Sequence, residues 1–80
     1  MMKKTLYVPK FREEGGEGVL CAWMKEEGAS FEKGEILYEV ETDKVVESVE
    51  APEQGMLIRK LAAVGDAVRA LEPVAEVEEK

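Results

Sequence analysis

Ile36-Leu37-Tyr38-Glu39-Val40-Glu41-Thr42-Asp43-Lys44-Val45-Val46-Glu47-Ser48-Val49-Glu50-Ala51 is the stretch on which the fold turns. Folded about a two-residue turn at Asp43-Lys44, it sets Thr42 opposite Val45, Glu41 opposite Val46, Val40 opposite Glu47, Glu39 opposite Ser48, Tyr38 opposite Val49, Leu37 opposite Glu50 and Ile36 opposite Ala51. Opposed residues share a face, and faces alternate along a strand. One face then carries Ile36, Tyr38, Val40, Thr42, Val45, Val49 and Ala51, with Glu47 out of place. The other carries Glu39, Glu41, Ser48 and Glu50, with Leu37 and Val46. Moving the turn by one residue mixes the two sets. The pattern predicts a hairpin with Lys44 at an exposed tip. Such turns usually need positive φ at a central residue, which Asp43 tolerates and Lys44 does not favour. A lysine in that place points to a use for its side chain, although turn lysines are often merely solvated.

Working outward, the chain repeats itself. Displaced by 37 residues, Gly18–Glu41 falls on Gly55–Glu78 without a gap, and seven of the 24 positions are identical: Gly18/Gly55, Leu20/Leu57, Gly28/Gly65, Glu35/Glu72, Glu39/Glu76, Val40/Val77 and Glu41/Glu78. Two copies imply a pseudo-two-fold domain rather than a solenoid. The apolar runs are short, rich in Val, Ile and aromatic residues, and bounded by Gly, Pro and charge, as strands are. Strands are expected at Thr5–Val8, Val19–Met24, Ile36–Thr42, Val45–Ala51, Met56–Leu61 and Val74–Val77. Shorter ones are expected near Ser30–Glu32 and Ala67–Arg69. Trp23–Glu27 and Lys60–Val64 also read as single helical turns. The fold class is all-β, a flattened barrel or sandwich of two four-stranded sheets. Lys10–Glu17 reads as a surface loop and Glu78-Glu79-Lys80 as a solvated tail.

The 80 residues suit one domain, residues 1–80 with a core of about 5–78. A chain this short buries only about 60–65% of its unfolded surface, which leaves little room for a deep catalytic pocket. It has no histidine, so the commonest general base is missing. One cysteine, Cys21, excludes an internal disulfide and a Cys-rich zinc site, and is expected to be an inert core residue. Trp23, Phe31 and Tyr38 read as packing residues. Against 11 Lys and Arg stand 18 Asp and Glu, a net charge of -7. That balance disfavours nucleic acid and anionic membranes and fits a basic protein partner. No apolar stretch is long enough to span a bilayer, and the first residues lack a secretory h-region, so a cytoplasmic domain is expected, and the isolated domain is expected to be monomeric.

The string Val40–Gly55, VETDKVVESVEAPEQG, resembles the lipoyl domains of 2-oxo acid dehydrogenase acyltransferases (dihydrolipoamide acyltransferases), within the biotinyl/lipoyl attachment superfamily. Val8-Pro9-Lys10, Glu17-Gly18, Trp23 and Lys33-Gly34-Glu35 extend the resemblance over roughly Leu6 to Val77. It implies the barrel-sandwich hybrid fold and a non-catalytic carrier whose lipoate is joined covalently to Lys44. It implies that a lipoylating ligase or transferase reads Glu41, Asp43 and Val45, with Gly28 and Gly55 matching glycines tied to the same presentation. Lys10, Phe11, Arg12, Glu13 and Glu14 match the loop that influences recognition by the thiamine-dependent 2-oxo acid dehydrogenase. The acyltransferase catalytic core and dihydrolipoyl dehydrogenase complete the implied partners. The carried group does the chemistry, and the protein supplies position and recognition. Arg12, where many members have glycine, and Glu47, where they are usually apolar, depart from the pattern.

Three other readings compete. A biotinyl carrier domain of a biotin-dependent carboxylase shares the fold but puts methionine on both sides of its lysine, where this chain has Asp43 and Val45. An unmodified structural or adaptor module of the same fold would not require a lysine at the tip. A glycine-cleavage carrier protein is longer and has a different lysine context. On charge pattern alone Glu39, Glu41, Asp43, Glu50 and Glu53 make a solvated face, and Gly28, Gly34, Gly55 and Gly65 fit ordinary turns.

Overall fold

The computed structural model describes residues 2–10, 17–43 and 45–79. Eight strands run through them: β1 Met2–Tyr7, β2 Glu17–Trp23, β3 Ser30–Phe31, β4 Ile36–Glu41, β5 Val46–Glu50, β6 Gly55–Lys60, β7 Ala67–Arg69 and β8 Pro73–Glu79. They form two four-stranded sheets in the orders β1-β8-β6-β3 and β5-β4-β2-β7, antiparallel throughout. Exchanging β1 with β5, β8 with β4, β6 with β2 and β3 with β7 turns one order into the other. The repeat in the sequence is thus a two-fold repeat in space.

The reciprocity extends to single hydrogen bonds. Gly28 N–H donates to Leu57 O at 2.7 Å, and Gly65 N–H donates to Leu20 O at 2.8 Å. Met24 N–H donates to Leu37 O at 2.8 Å, and Leu61 N–H to Val74 O at 2.9 Å. Glu35 Oε1 accepts from Glu32 N–H at 2.7 Å, and Glu72 Oε1 accepts from Arg69 N–H at 2.9 Å. These two carboxylates each accept a backbone N–H, of Glu32 just after β3 and of Arg69 at the end of β7.

The core lies between the sheets and obeys the same symmetry. Among the described residues the buried apolar side chains fall into six related pairs: Leu20/Leu57, Phe31/Val68, Leu37/Val74, Tyr38/Ala75, Val40/Val77 and Val8/Ala51. Tyr38 faces the small Ala75 across the symmetry, so bulk is shared unequally while the space between the sheets stays filled. Trp23 packs on Tyr38 with ring centroids 5.1 Å apart and sends its indole N–H to Ala62 O at 2.9 Å. Fully burying one leucine side chain is worth about 1.5–3 kcal/mol, so Leu20 and Leu57 are principal anchors of the two halves.

Several sequence expectations are corrected. Glu78 and Glu79 are not a solvated tail. They close β8, between Met2–Lys3 of β1 and Gly55–Met56 of β6, because ladder pairing is made by the backbone whatever the side chains. Strand β1 begins at Met2 instead of Thr5, and Val8 follows it as a buried non-strand residue whose N–H donates to Glu72 O at 2.8 Å. Trp23–Glu27 and Lys60–Val64 form no helix; each chain segment ends its strand and turns at Gly28 or Gly65. Leu37 is buried instead of lying on the polar face. The β4–β5 register shifts between Ile36 and Tyr38, and the bulge lets consecutive residues Leu37 and Tyr38 both face inward. Cys21 is half-buried, since a similar shift at the middle of β2 turns it from the core and sets its Sγ 3.4 Å from Glu39 O. Val45, expected on the inner face, is exposed because it lies beyond the end of the core.

Candidate functional site

The β4–β5 hairpin has the pairing expected of it near the turn: Glu41 with Val46, Val40 with Glu47, Glu39 with Ser48 and Tyr38 with Val49. Thr42 N–H donates to Val45 O at 2.8 Å and closes the turn. The Thr42 hydroxyl tightens it further, donating to Val45 O at 3.0 Å and accepting from Val45 N–H at 3.3 Å. Next along the strands, the Ser48 hydroxyl donates to Glu39 Oε2 at 3.1 Å across the outer face. The tip is therefore held by both main chain and side chain. Lys44 itself lies outside the described residues; its neighbours in the chain, Asp43 and Val45, are both exposed.

Strand β2 supports the hairpin from one side. A Cβ on Gly18 would come within 2.6 Å of Val40 Cγ1 and 2.7 Å of Glu41 O, so only glycine lets β2 lie this close to the end of β4. Beside the turn an open, shallow groove of about 410 Å³ is lined by Glu17, Gly18, Val19, Glu41, Thr42, Asp43 and Ala67. Glu17 Oε2 accepts from Arg69 Nε at 3.3 Å at its edge. The groove mixes three acidic residues with exposed apolar ones. Sequence reasoning missed Gly18, Val19 and Ala67 as neighbours of the turn. The identity of Gly18 with Gly55 was the available signal for the first.

The remaining sequence-predicted residues are not all gathered here. Glu41, Asp43 and Val45 surround the turn and are exposed. Gly28 is on the β2–β3 connection with φ of 91°, bonded to Leu57, and Gly55 lies against the Glu78 carbonyl and the Phe31 ring in the other sheet. Both have complete backbone reasons to be glycine, and neither lines the groove. Lys10 is exposed, while Phe11, Arg12, Glu13 and Glu14 lie outside the described residues.

Two groups away from the tip have shifted pKa values. Lys25 Nζ stands 2.9 Å from Glu35 Oε2, and with the Glu32 N–H bond it holds the Glu35 carboxyl below its ordinary value of 4.5. Burial pushes the Tyr38 phenol up from its ordinary value of 10.0. Its buried hydroxyl has no hydrogen-bond partner among the described residues, and Tyr38 lines a cleft of about 210 Å³ with Tyr7, Pro9, Glu50 and Pro52. Neither group belongs to the tip. Among the described residues no group of three or more His, Cys, Asp or Glu is placed to hold a metal ion. What the tip offers chemically is presentation: an amine-bearing residue in the sequence of a stapled turn, with no described side chain packed over its neighbours. An acyl group joined to that amine fits such a place, since no enclosing pocket has to be filled.

The family model described as "Biotin-requiring enzyme", for biotin and lipoyl attachment, matches residues 4–77. Among curated relatives, the dihydrolipoyllysine-residue acetyltransferase component of the acetoin cleaving system of Pseudomonas putida is 47% identical over 58 residues, 72% of this chain and 16% of the relative. The dihydrolipoyllysine-residue succinyltransferase component of the 2-oxoglutarate dehydrogenase complex of Staphylococcus saprophyticus is 42% identical over 72 residues, 90% of this chain and 17% of the relative. The chain thus spans about one sixth of the length of these relatives. The solution structure of the lipoyl domain of the 2-oxoglutarate dehydrogenase complex from Azotobacter vinelandii superposes with a TM-score of 0.75 at 29% identity, covering 94% of this chain and 95% of that one. A long-chain acyl-CoA carboxylase superposes with a TM-score of 0.83 at 20% identity, a likeness of fold alone.

Proposed function

The chain belongs to the biotin/lipoyl attachment family, and on that premise we propose that it is a lipoyl carrier whose lipoate is attached to Lys44. One observation supports the reading: Thr42 N–H donates to Val45 O and closes a hairpin turn, and the chain neighbours of Lys44, Asp43 and Val45, are open to solvent. An amine destined for acylation needs access for the attaching enzyme, and an arm that visits several active sites needs a rigid base. The stapled turn meets both needs. The lipoyl group supplies reversible thiol–disulfide and acyl-transfer chemistry. The protein residues position it, present a surface and keep the turn in one shape.

In this reading Glu41, Asp43 and Val45 present the lysine to a lipoylating ligase or transferase. The tip then serves a thiamine-dependent 2-oxo acid dehydrogenase, an acyltransferase core and dihydrolipoyl dehydrogenase in turn, with the segment from Lys10 to Glu17 contributing to the first of these encounters. Relatives named as acyltransferase components support this. So does the structural likeness to a lipoyl domain over nearly its whole length. The flanking Asp43 and Val45 favour lipoate over biotin.

The test is reductive acylation. Lipoylated domain and free lipoamide are offered at equal concentration to a 2-oxo acid dehydrogenase of the same organism, and acylation is followed by mass. The domain is expected to be acylated much faster, because contacts remote from the reacting atoms position them. Equal rates would show that the domain adds no recognition. Ready biotinylation of Lys44 with no acylation by any cognate dehydrogenase would hand the site to biotin.

A further inference from the structure

We propose that a row of residues crossing the outer face of the β5-β4-β2-β7 sheet, Val46–Glu41–Val19–Ala67, is the docking strip of the enzyme that joins lipoate to Lys44. The inference rests on the carrier reading and assigns it a surface beyond the tip. The row follows from the register. Val46 pairs with Glu41, Glu41 with Val19, and Val19 with Ala67, one residue from each strand. Val46 is 53% and Val19 43% exposed, and Glu41 and Ala67 are exposed as well.

The pseudo-symmetry supplies the control that a single sheet lacks. The equivalent row in the other sheet is Lys3–Glu78–Met56–Ser30, with the same pairings. The backbone is the same, and so is the central glutamate. At the two edge strands the side chains are polar there and apolar here: Lys3 against Val46, Ser30 against Ala67. The fold therefore does not demand valine at Val46 or alanine at Ala67. Exposed apolar residues at both edges of this row, where its symmetry mate is polar, mark a surface kept for contact.

Its position selects the partner. The Glu41–Val46 pair is the first ladder pair below the turn closed by Thr42 and Val45. An enzyme acting at Lys44 Nζ must bring its active site within one lysine side chain of the turn and so must cover this row. The dehydrogenase, acting at the far end of the lipoyl arm, need not cover this row; its contacts with the domain are those assigned above to the segment from Lys10 to Glu17. The attaching enzyme takes an activated lipoyl acyl donor, an acyl phosphate anhydride or a thioester. The amide bond to Nζ forms, the activating group leaves, and the amine gives up a proton. The row's single charge, Glu41, flanked by valines, calls for one basic side chain on the partner set among apolar ones, since a charge covered at an interface needs its counterpart.

The experiment uses unlipoylated domain carrying Val19→Thr and Val46→Thr, which keep β-branching and strand propensity while removing apolar surface. With a lipoylating ligase, ATP and lipoate at subsaturating domain, lipoylation should slow at least about tenfold through a raised KM, as for loss of central interface contacts. Thermal melts should be unchanged, and Lys3→Thr in the symmetry-related row should be lipoylated at the wild-type rate. The double variant, once driven to full lipoylation by long incubation, should then be acylated by the dehydrogenase as fast as wild type. Unchanged lipoylation kinetics, or an equal fall in lipoylation and acylation, overturns the proposal. Wild-type domain that takes no lipoate at all overturns the carrier reading itself.

Discussion

Residues 18–41 and 55–78 are identical at seven of 24 aligned positions, yet they make the same turns, the same bulges and equivalent hydrogen bonds, one set in each sheet. Most of the shared residues mark what the backbone cannot do without. Gly18 and Gly55 each pass against a carbonyl, of Glu41 and Glu78 respectively. Gly28 and Gly65 hold φ of 91° and 100°. Glu35 and Glu72 cap equivalent turns, and Leu20/Leu57 and Val40/Val77 fill the core. Where the halves differ, the fold is indifferent and something else decides. One half carries β4 into a stapled turn with Lys44 in its sequence. At the corresponding place the other half has the end of β8, at Glu79.

The strongest way to break the comparison is to truncate its anchors. Leu20→Ala and Leu57→Ala should each lower stability by roughly 2–5 kcal/mol in denaturant melts, through lost burial and a residual cavity. Their losses should lie close together. A small loss at one and a large loss at the other would show that the halves do not share the core equally.

A smaller effect is expected where the symmetry is imperfect. Leu71 holds φ of 72° while 65% exposed, at the position equivalent to Gly34 with φ of 89°. Their N–H groups donate to Val8 O and Ala51 O, an equivalent pair. A bulky residue in the left-handed region costs about 1–2 kcal/mol. Gly34→Leu should therefore destabilise by about that amount, and Leu71→Gly should stabilise by up to about 1 kcal/mol after glycine's unfolded-state entropy is subtracted. Changes of the same sign at both positions would deny their equivalence.

The smallest effect separates the two turn-capping glutamates by pH. Glu35 has Lys25 beside it, and its folded pKa lies below 4.5. Its unfolded form therefore binds a proton more readily than its folded form. The stabilisation is fully present above the unfolded value and lost as pH falls through the folded one. Lys25→Ala should lower stability slightly above about pH 4.5 and converge on wild type at lower pH, so that part of the acid dependence is lost. Superimposable stability–pH curves for wild type and variant would remove Lys25 as the cause.

Much of this architecture is legible in the sequence alone. Alternation in Ile36–Ala51 was strong enough to set four ladder pairs, and the 37-residue repeat announced two equivalent sheets. The bulges were not legible, because no residue type marks the extra residue at Leu37 or Cys21, and the burial of Leu37 and half-exposure of Cys21 follow from them. Glu78 and Glu79 looked like a tail because side-chain polarity hides backbone pairing. The groove beside the turn depends on β2 lying between β4 and β7, neighbours far apart in sequence, so Val19 and Ala67 gave no sign of it. Glu41, Asp43 and Val45 were legible because they adjoin Lys44 in the chain.

A carrier with one arm requires Lys44 to be the sole attachment point. Wild-type domain and Lys44→Arg are each incubated with a lipoylating ligase, ATP and lipoate, then analysed by intact mass and peptide mapping. One lipoyl group is expected on wild type, mapped to Lys44, and none on Lys44→Arg, whose fold and melting behaviour should match wild type. A lipoyl group on Lys25, Lys33 or Lys60, or one on the folded Lys44→Arg variant, would contradict that assignment.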